Sequence, residues 1–257
     1  MDYLADSQNI LKLALDVTST ESVDKAIAAA LARWGRLDVV VNNAGYTLQG
    51  DTENAAEEDA RRVVETDYWG TVRVTKHAMR ILREENAKTG PQGGVIMNVT
   101  SMGGRIAFPG NAFYHSSKFA VEGFTEAVSK EVSPAWNMHF CLVEPGGTKT
   151  NYATSSMQAI PVHPAYAAPD MPTRMIEAYI ASPEMTKNWS EPAAIAAAMY
   201  EVVARGQVVP LRLPLGPDAW GMLKAEVAKI DAALEETKEI AHRAGQKGQL
   251  ESIAFLR

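Results

Sequence analysis

The sequence predicts an α/β protein organised around a doubly wound parallel sheet. Short apolar, β-branched runs alternate with longer segments whose apolar residues recur at helical spacing, and that alternation calls for parallel strands covered on both faces. The 257 residues can bury a full core. Neither an internal repeat nor a linker divides them, so one domain spanning 1–257 is expected.

In chain order, residues 10–15 read as a short buried strand, followed by Asp16-Val17-Thr18. Thr18 and Glu21 suit a capping box for a helix that presents Val23, Ile27, Leu31 and Trp34 on one face and stops at Gly35. Residues 37–41 form a second strand leading into Asn42-Asn43-Ala44-Gly45. A long helical region over 57–85 carries Val64, Val72, Met79 and Leu82, and a turn-rich loop over 88–94 precedes a strand over 95–99. That strand ends in Thr100-Ser101. After a Gly/Pro loop, a helix opens with Tyr114 and runs to about residue 132, before Pro134. A strand over 138–143 ends at Glu144-Pro145-Gly146. Residues 155–183 are rich in Pro, Met and Ala with weak periodicity. A helix over 191–205, a strand over 208–213 and a long charged helix from Pro217 to about residue 244 complete the chain. The last is amphipathic through Leu223, Val227, Ile230, Leu234 and Ile240, and reads as a packing element.

The composition narrows the function classes. A net charge of −6 argues against nucleic acid as the main partner. No apolar run approaches membrane-spanning length. The opening Met1-Asp2-Tyr3-Leu4-Ala5-Asp6 lacks the basic and apolar regions of a signal peptide. The single Cys141 sits in an apolar strand, which rules out an internal disulfide and fits a reducing, cytoplasmic setting. The five His are scattered without metal-ligand spacing, so no metal is expected.

Tyr114 and Lys118 stand at i and i+4, on one face of their helix. Alone, Tyr-x-x-x-Lys is a short motif with a large chance background. Its context is specific: Ser101 at a strand end before it, Asn42-Asn43-Ala44-Gly45 after an earlier strand, and Pro145-Gly146-Gly147-Thr148-Lys149-Thr150 after a later one. In order and distance these motifs resemble the short-chain dehydrogenase/reductase family, from about residue 13 to residue 150 and more loosely to the C-terminus.

The resemblance implies a Rossmann-like fold and an oxidoreductase that interconverts a carbonyl and an alcohol with a nicotinamide cofactor. NADP stands ahead of NAD. It gives Tyr114 the role of acid/base, Lys118 that of holding the nicotinamide ribose, and Ser101 that of binding the substrate oxygen. A free phenol has a pKa of about 10, and a neighbouring ammonium lowers it toward working pH; Lys118 is placed to do so. By the same resemblance, Asp16 meets the adenine amino group and Val17 its ring, and Asn43, Ala44 and Gly45 lie against the adenosine ribose. Pro145 and Gly146 bend past the nicotinamide, with Thr148 and Thr150 toward its carboxamide. Taken singly, each residue also has a plain structural reading: Asp16 as a helix-flanking acid, Asn-Asn-Ala-Gly as a turn that steadies the sheet, Pro-Gly as a strand-to-loop turn.

Two departures stand out. The family usually has an asparagine three residues ahead of the glycine in Glu65-Thr66-Asp67-Tyr68-Trp69-Gly70; here Asp67 occupies it, an acceptor where an amide both donates and accepts. A carboxylate there pairs with Lys118 and weakens its hold on Tyr114; water accommodating the exchange is the equal alternative. The first glycine is Gly35, so the family's Gly-rich phosphate turn and its first two strands are not represented, nor are the residues that choose between NAD and NADP. A mis-set start codon or a trimmed chain is the expected cause, with a shortened relative as the other. In such a chain either the sheet edges stand open or the strands flanking the gap close up.

Residues 151–190 correspond to the family's substrate-covering segment. They offer Met157, Ile160, Val162, Tyr166, Met171, Met175 and Ile176, which suits an apolar carbonyl or alcohol substrate; packing of these residues on their own core is the plainer reading. The two long helices over 64–85 and 114–132 imply a homo-oligomer by resemblance. Beside the redox reading stand a cofactor-free relative doing proton-transfer chemistry (isomerisation, elimination or cyclisation) and a catalytically silent binding subunit.

Overall fold

A computed structural model describes residues 5, 7–206 and 208–256; Met1–Leu4 and Asp6, part of the opening hexapeptide, lie outside them. The central sheet has four strands, β1 (Val39–Asn42), β3 (Gly94–Val99), β4 (Met138–Pro145) and β6 (Arg212–Leu215), all parallel and in the order β1-β3-β4-β6. A second, two-stranded parallel sheet joins β2 (Thr47–Gln49) to β5 (Met157–Ala159). Helices cover both faces of the central sheet, as the alternation predicts. Ile96, Met138 and Phe140 pack with Ala78, Leu82 and Val128 on one face. Val95, Met97, Cys141 and Val143 pack with Met199 and Val203 on the other.

Several elements differ from expectation. Residues 10–15 form no strand. Their apolar content suits one, but a strand exists only through a ladder partner, and here Arg33 instead ties the preceding turn down by donating to the carbonyls of Ser7 and Gln8. Of the two arrangements expected, the open one is found: among the described residues the outer edge of β1 is unpaired, with Val39 and Val41 40% and 46% exposed. The helix Thr20–Trp34 is capped by Ser19, whose side chain accepts from Ser22 N–H, and not by Thr18. Thr18 turns back and donates to Asp16 from both its N–H and its hydroxyl. Gly35 closes the helix at φ +75°, a left-handed cap suited to glycine.

The region 57–85 is helical throughout but not uniformly α. It runs as α over Glu57–Val64 and Thr71–Arg80, with wide π turns at Glu65–Gly70 and Ile81–Glu85. The Tyr114 helix starts two residues earlier than expected, spanning Ala112–Glu131, and β6 starts four residues later. Residues 155–183 contain β5 and a helix at Pro172–Ala181. The helix Pro217–Ala244 has the expected bounds, yet only Ala219 in its first turn is buried, and Val227, Ile230, Leu234 and Ile240 are exposed. It packs at one end only. Among the described residues, no helix is long and apolar enough to cross a membrane.

Candidate active site

The site forms at the C-terminal ends of β1, β3 and β4, where open parallel sheets receive ligands. β3 delivers Thr100 and Ser101. The Ser101 hydroxyl accepts from Gly103 N–H at 2.9 Å and caps the turn Met102–Gly104. His115 holds that turn on the Tyr114 helix, its Nδ1 lying 2.7 Å from Gly103 O. A Cβ on Gly103 would stand 2.7 Å from the imidazole, so this close approach requires glycine.

Tyr114 and Lys118, one turn apart, share a face as their spacing dictates. Lys118 Nζ lies 5.5 Å from the Tyr114 ring centroid and donates to Val99 O at 3.2 Å. Ser101 stands beside the Tyr114 hydroxyl, close enough to favour its ionised form. Ser101, Tyr114 and Lys118 therefore converge, and Asp67 joins them: its Oδ2 is 3.9 Å from Lys118 Nζ. The π turn Glu65–Gly70 carries Asp67 inward to complete burial. There its two oxygens accept from Tyr46 N–H at 3.0 Å and Ser117 Oγ at 3.1 Å.

The electrostatics differ from the simple expectation that Lys118 draws the phenol down. Burial holds Tyr114 above its ordinary pKa, the Asp67 charge pushes the same way, and the neighbouring Ser101 hydroxyl opposes both. Burial is the larger cause, and the Asp67 carboxylate, 3.9 Å from the Lys118 ammonium, adds to it rather than leaving the cation to act on the phenol alone. Burial also raises the Asp67 carboxyl, against the Lys118 charge and the Tyr46 and Ser117 hydrogen bonds.

The loop after β1 leaves Asn43, Ala44 and Gly45 exposed beside this cluster. A Cβ on Gly45 would stand 3.0 Å from Asp67 Oδ1 and 3.3 Å from Lys118 Nζ. Asn42 instead points into the sheet, donating to Asn98 Oδ1 and Thr75 Oγ1. The motif thus steadies the core with one residue and presents the next three outward.

Other expected residues lie outside the cluster. Asp16 is exposed, and the Thr18 hydrogen bonds hold its carboxyl below the usual range. Val17 is packed on Gly70, where a Cβ would meet Val17 Cγ2 at 2.6 Å. Pro145 and Gly146 end β4, with Gly146 N–H bonded to Leu215 O. Thr148 donates to Gly146 O, while Thr150 caps the turn Asn151–Ala153 by accepting from Tyr152 N–H.

Three contributors escape motif reasoning. Tyr152 packs against Tyr114 with ring centroids 5.7 Å apart, and nearby Thr47 opposes the rise that burial gives its phenol; Thr47 itself donates to Asn111 Oδ1 at 2.8 Å. No spacing signal marks Tyr152, because a single capped turn sets its place. Asp218 accepts from Gly147 N–H at 2.7 Å and fills the space beside Gly146. Beneath Ser101, Thr100 Oγ1 donates to Glu122 Oε1 at 2.7 Å. Glu122 forms a buried carboxyl pair with Glu144, flanked by Arg105 and Arg212. Burial, and then the Glu122 charge, push Glu144 up to about 7.

Comparison with known proteins places the chain. The short chain dehydrogenase family model matches residues 2–160. An oxidoreductase of Penicillium decumbens, Oxidoreductase calM, is 44% identical over 245 residues, covering 94% of this chain and 79% of its own. A short-chain dehydrogenase from Streptomyces avermitilis has a similar structure at TM-score 0.77 and 32% identity, over 91% of this chain and 80% of its own. The fold is shared by a short-chain dehydrogenase/reductase from Burkholderia phymatum, solved in complex with NAD, at TM-score 0.70 and 18% identity over 87% of this chain and 76% of that one. The chain belongs to the short-chain dehydrogenase/reductase family, whose relatives here are oxidoreductases.

Proposed function

We propose that this chain interconverts a carbonyl and an alcohol with a nicotinamide cofactor, NADP ahead of NAD, using Tyr114 as the acid/base. The observation that carries the reading is the convergence of Ser101, Tyr114 and Lys118. In the reduction direction, the Tyr114 hydroxyl gives its proton to the substrate oxygen while Ser101 Oγ hydrogen-bonds that oxygen and stabilises its developing charge. A bound nicotinamide supplies or accepts the hydride, which no side chain can.

The residues present suit the nicotinamide end of such a cofactor. Lys118 Nζ spends one donor on Val99 O and, with three in all, has others for ribose hydroxyls. Gly45, exposed beside it, permits close approach of a ligand. Pro145, Gly146, Thr148 and Thr150 take the carboxamide side in this reading; Asn43 and Ala44, with Asp16 and Val17, take the adenosine side. The substrate is a small, largely apolar molecule covered by residues 151–190. Association of two copies through the long helices belongs to the same reading, with Trp69 and Phe119 half-exposed on them.

Titrating the chain with NADPH and NADH by fluorescence tests the cofactor, and Tyr114→Phe tests the acid/base. Saturable binding with turnover lost in Tyr114→Phe is expected. A near-normal rate in that variant removes Tyr114 from the mechanism. Tyr114-dependent turnover without nicotinamide binding leaves proton transfer as the whole of the chemistry.

A further inference from the structure

Gln49 is a buried amide that bonds nothing among the described residues. It is 3% exposed, and neither its Nε2 nor its Oε1 has a hydrogen-bond partner there. An unpartnered amide inside a protein costs the fold the full desolvation of both groups, and such groups call for an explanation.

Its place supplies one. Thr47 and Gln49 lie on the same face of β2, while Leu48 points the other way into the Ala60–Val63–Ile160 cluster. Thr47 is the residue that meets Tyr152 and Asn111 beside Tyr114. Gln49 is the next side chain along that face, about 7 Å further on. Its Nε2 lies against Gly110, where a Cβ would stand 2.6 Å from it and 2.9 Å from Thr173 Cγ2. The amide is therefore enclosed between the loop that opens the Tyr114 helix and the first turn of the helix Pro172–Ala181.

The charges beyond it are already matched. Asp51, buried, accepts from Arg174 Nη2 at 3.0 Å, and Glu177 lies 3.0 Å from Arg174 Nε. Two carboxylates against one guanidinium leave no excess positive charge for an anion. A neutral group that donates and accepts suits the amide best.

We propose that Gln49 forms a second polar subsite, which recognises a neutral hydroxyl or amide group borne by the substrate several bonds from its reacting carbonyl. This deepens the carbonyl/alcohol reading and rests on it. For the group to reach Gln49, the first turn of the helix Pro172–Ala181, which carries Thr173, must move aside. A substrate that is apolar except for two separated polar groups is the class this arrangement takes.

The test compares methyl ketones of increasing chain length with their ω-hydroxy and ω-carboxamide counterparts, on wild type, Gln49→Leu and Gln49→Met. Both binding by calorimetry and kcat/KM are read. Wild type should favour at least one ω-substituted series over the parent ketones on the order of 10- to 100-fold. Both variants should lose that preference while handling the parent ketones as before. Which series is favoured tells hydroxyl from amide. The variants should also melt at or above the wild-type temperature, because an apolar side chain relieves the orphaned amide. Equal treatment of the parent and ω-substituted series by wild type overturns the subsite, as does a lowered melting temperature in both variants, which would mean the amide is bonded within the fold. A binding preference that persists without turnover would keep the subsite and count against the redox reading alone.

Discussion

Replacing Glu144 with Gln should make the fold more stable at alkaline pH relative to acidic pH, because the buried Glu122–Glu144 pair is hard to ionise fully. In the folded chain Glu144 keeps its proton up to about 7, against an ordinary value of 4.5. Between those values the unfolded chain has released a proton that the folded chain retains, so stability falls as pH rises through this window. Below about 4.5 the penalty is absent, and above about 7 it is complete. At about 1.4 kcal/mol per pKa unit, its ceiling is about 3 kcal/mol. Arg105 and Arg212, 3.8 and 3.7 Å from Glu144 Oε1, already oppose it, and the two carboxyls titrate as a unit. Urea unfolding of wild type and Glu144→Gln, each near pH 5 and near pH 8, isolates the effect of the Glu122–Glu144 pair from the titrating groups outside it. The stability difference, variant minus wild type, should rise by about 1–3 kcal/mol from the lower to the higher pH. An unchanged or falling difference would refute the reasoning, since it would mean that the arginines fully compensate the pair.

Two further outcomes follow from the site. Asp67→Asn removes the charge that helps hold Tyr114 high, so the phenol should fall and the pH–rate profile move to lower pH; an unmoved profile would show that Asp67 is a neutral exchange. Gly70→Ala places a methyl on a helical backbone that prefers alanine by about 0.5–1 kcal/mol, but at 2.6 Å from Val17 Cγ2. Overpacking typically costs about 1–3 kcal/mol and should prevail, read as a lower urea midpoint; a stabilised variant would mean that Val17 yields to the methyl at no cost.

The fold was legible where the sequence carries its own punctuation. Strands over 95–99 and 138–143 are bounded by Gly and Pro, and Pro217 marks the start of the last helix at its observed first residue. The Tyr114–Lys118 pair was legible because an i, i+4 pair on a helix shares a face wherever the helix goes. What was not legible depends on partners remote in sequence. β2 and β5 are three residues each, too short for periodicity to declare them. Apolar residues at 10–15 suit a strand but name no neighbour to pair with. The last helix has one apolar face, yet spacing cannot say whether anything covers it. Lys118 lies close to Tyr114 as its spacing requires, but the sign of the phenol's shift came from burial and from Asp67, set by a different segment.

The two wide turns between Val63 and Asn86 have a geometric effect of their own. Val63, Asp67, Thr71, Thr75, Ala78, Leu82 and Asn86 are all buried and recur mostly every fourth residue, slower than the 3.6 of an ideal α-helix. In an unbroken α-helix that row would creep round the cylinder, and its two polar ends would face different directions. Each π turn takes up an extra residue and resets the drift. Asp67 can thus reach Lys118 while Asn86, nearly thirty ångströms further along at 1.5 Å per residue, still bonds Leu37 and Gly93 at the far end of the sheet. The rod works as a vernier, and deleting one residue from either wide turn would put the two anchors out of alignment.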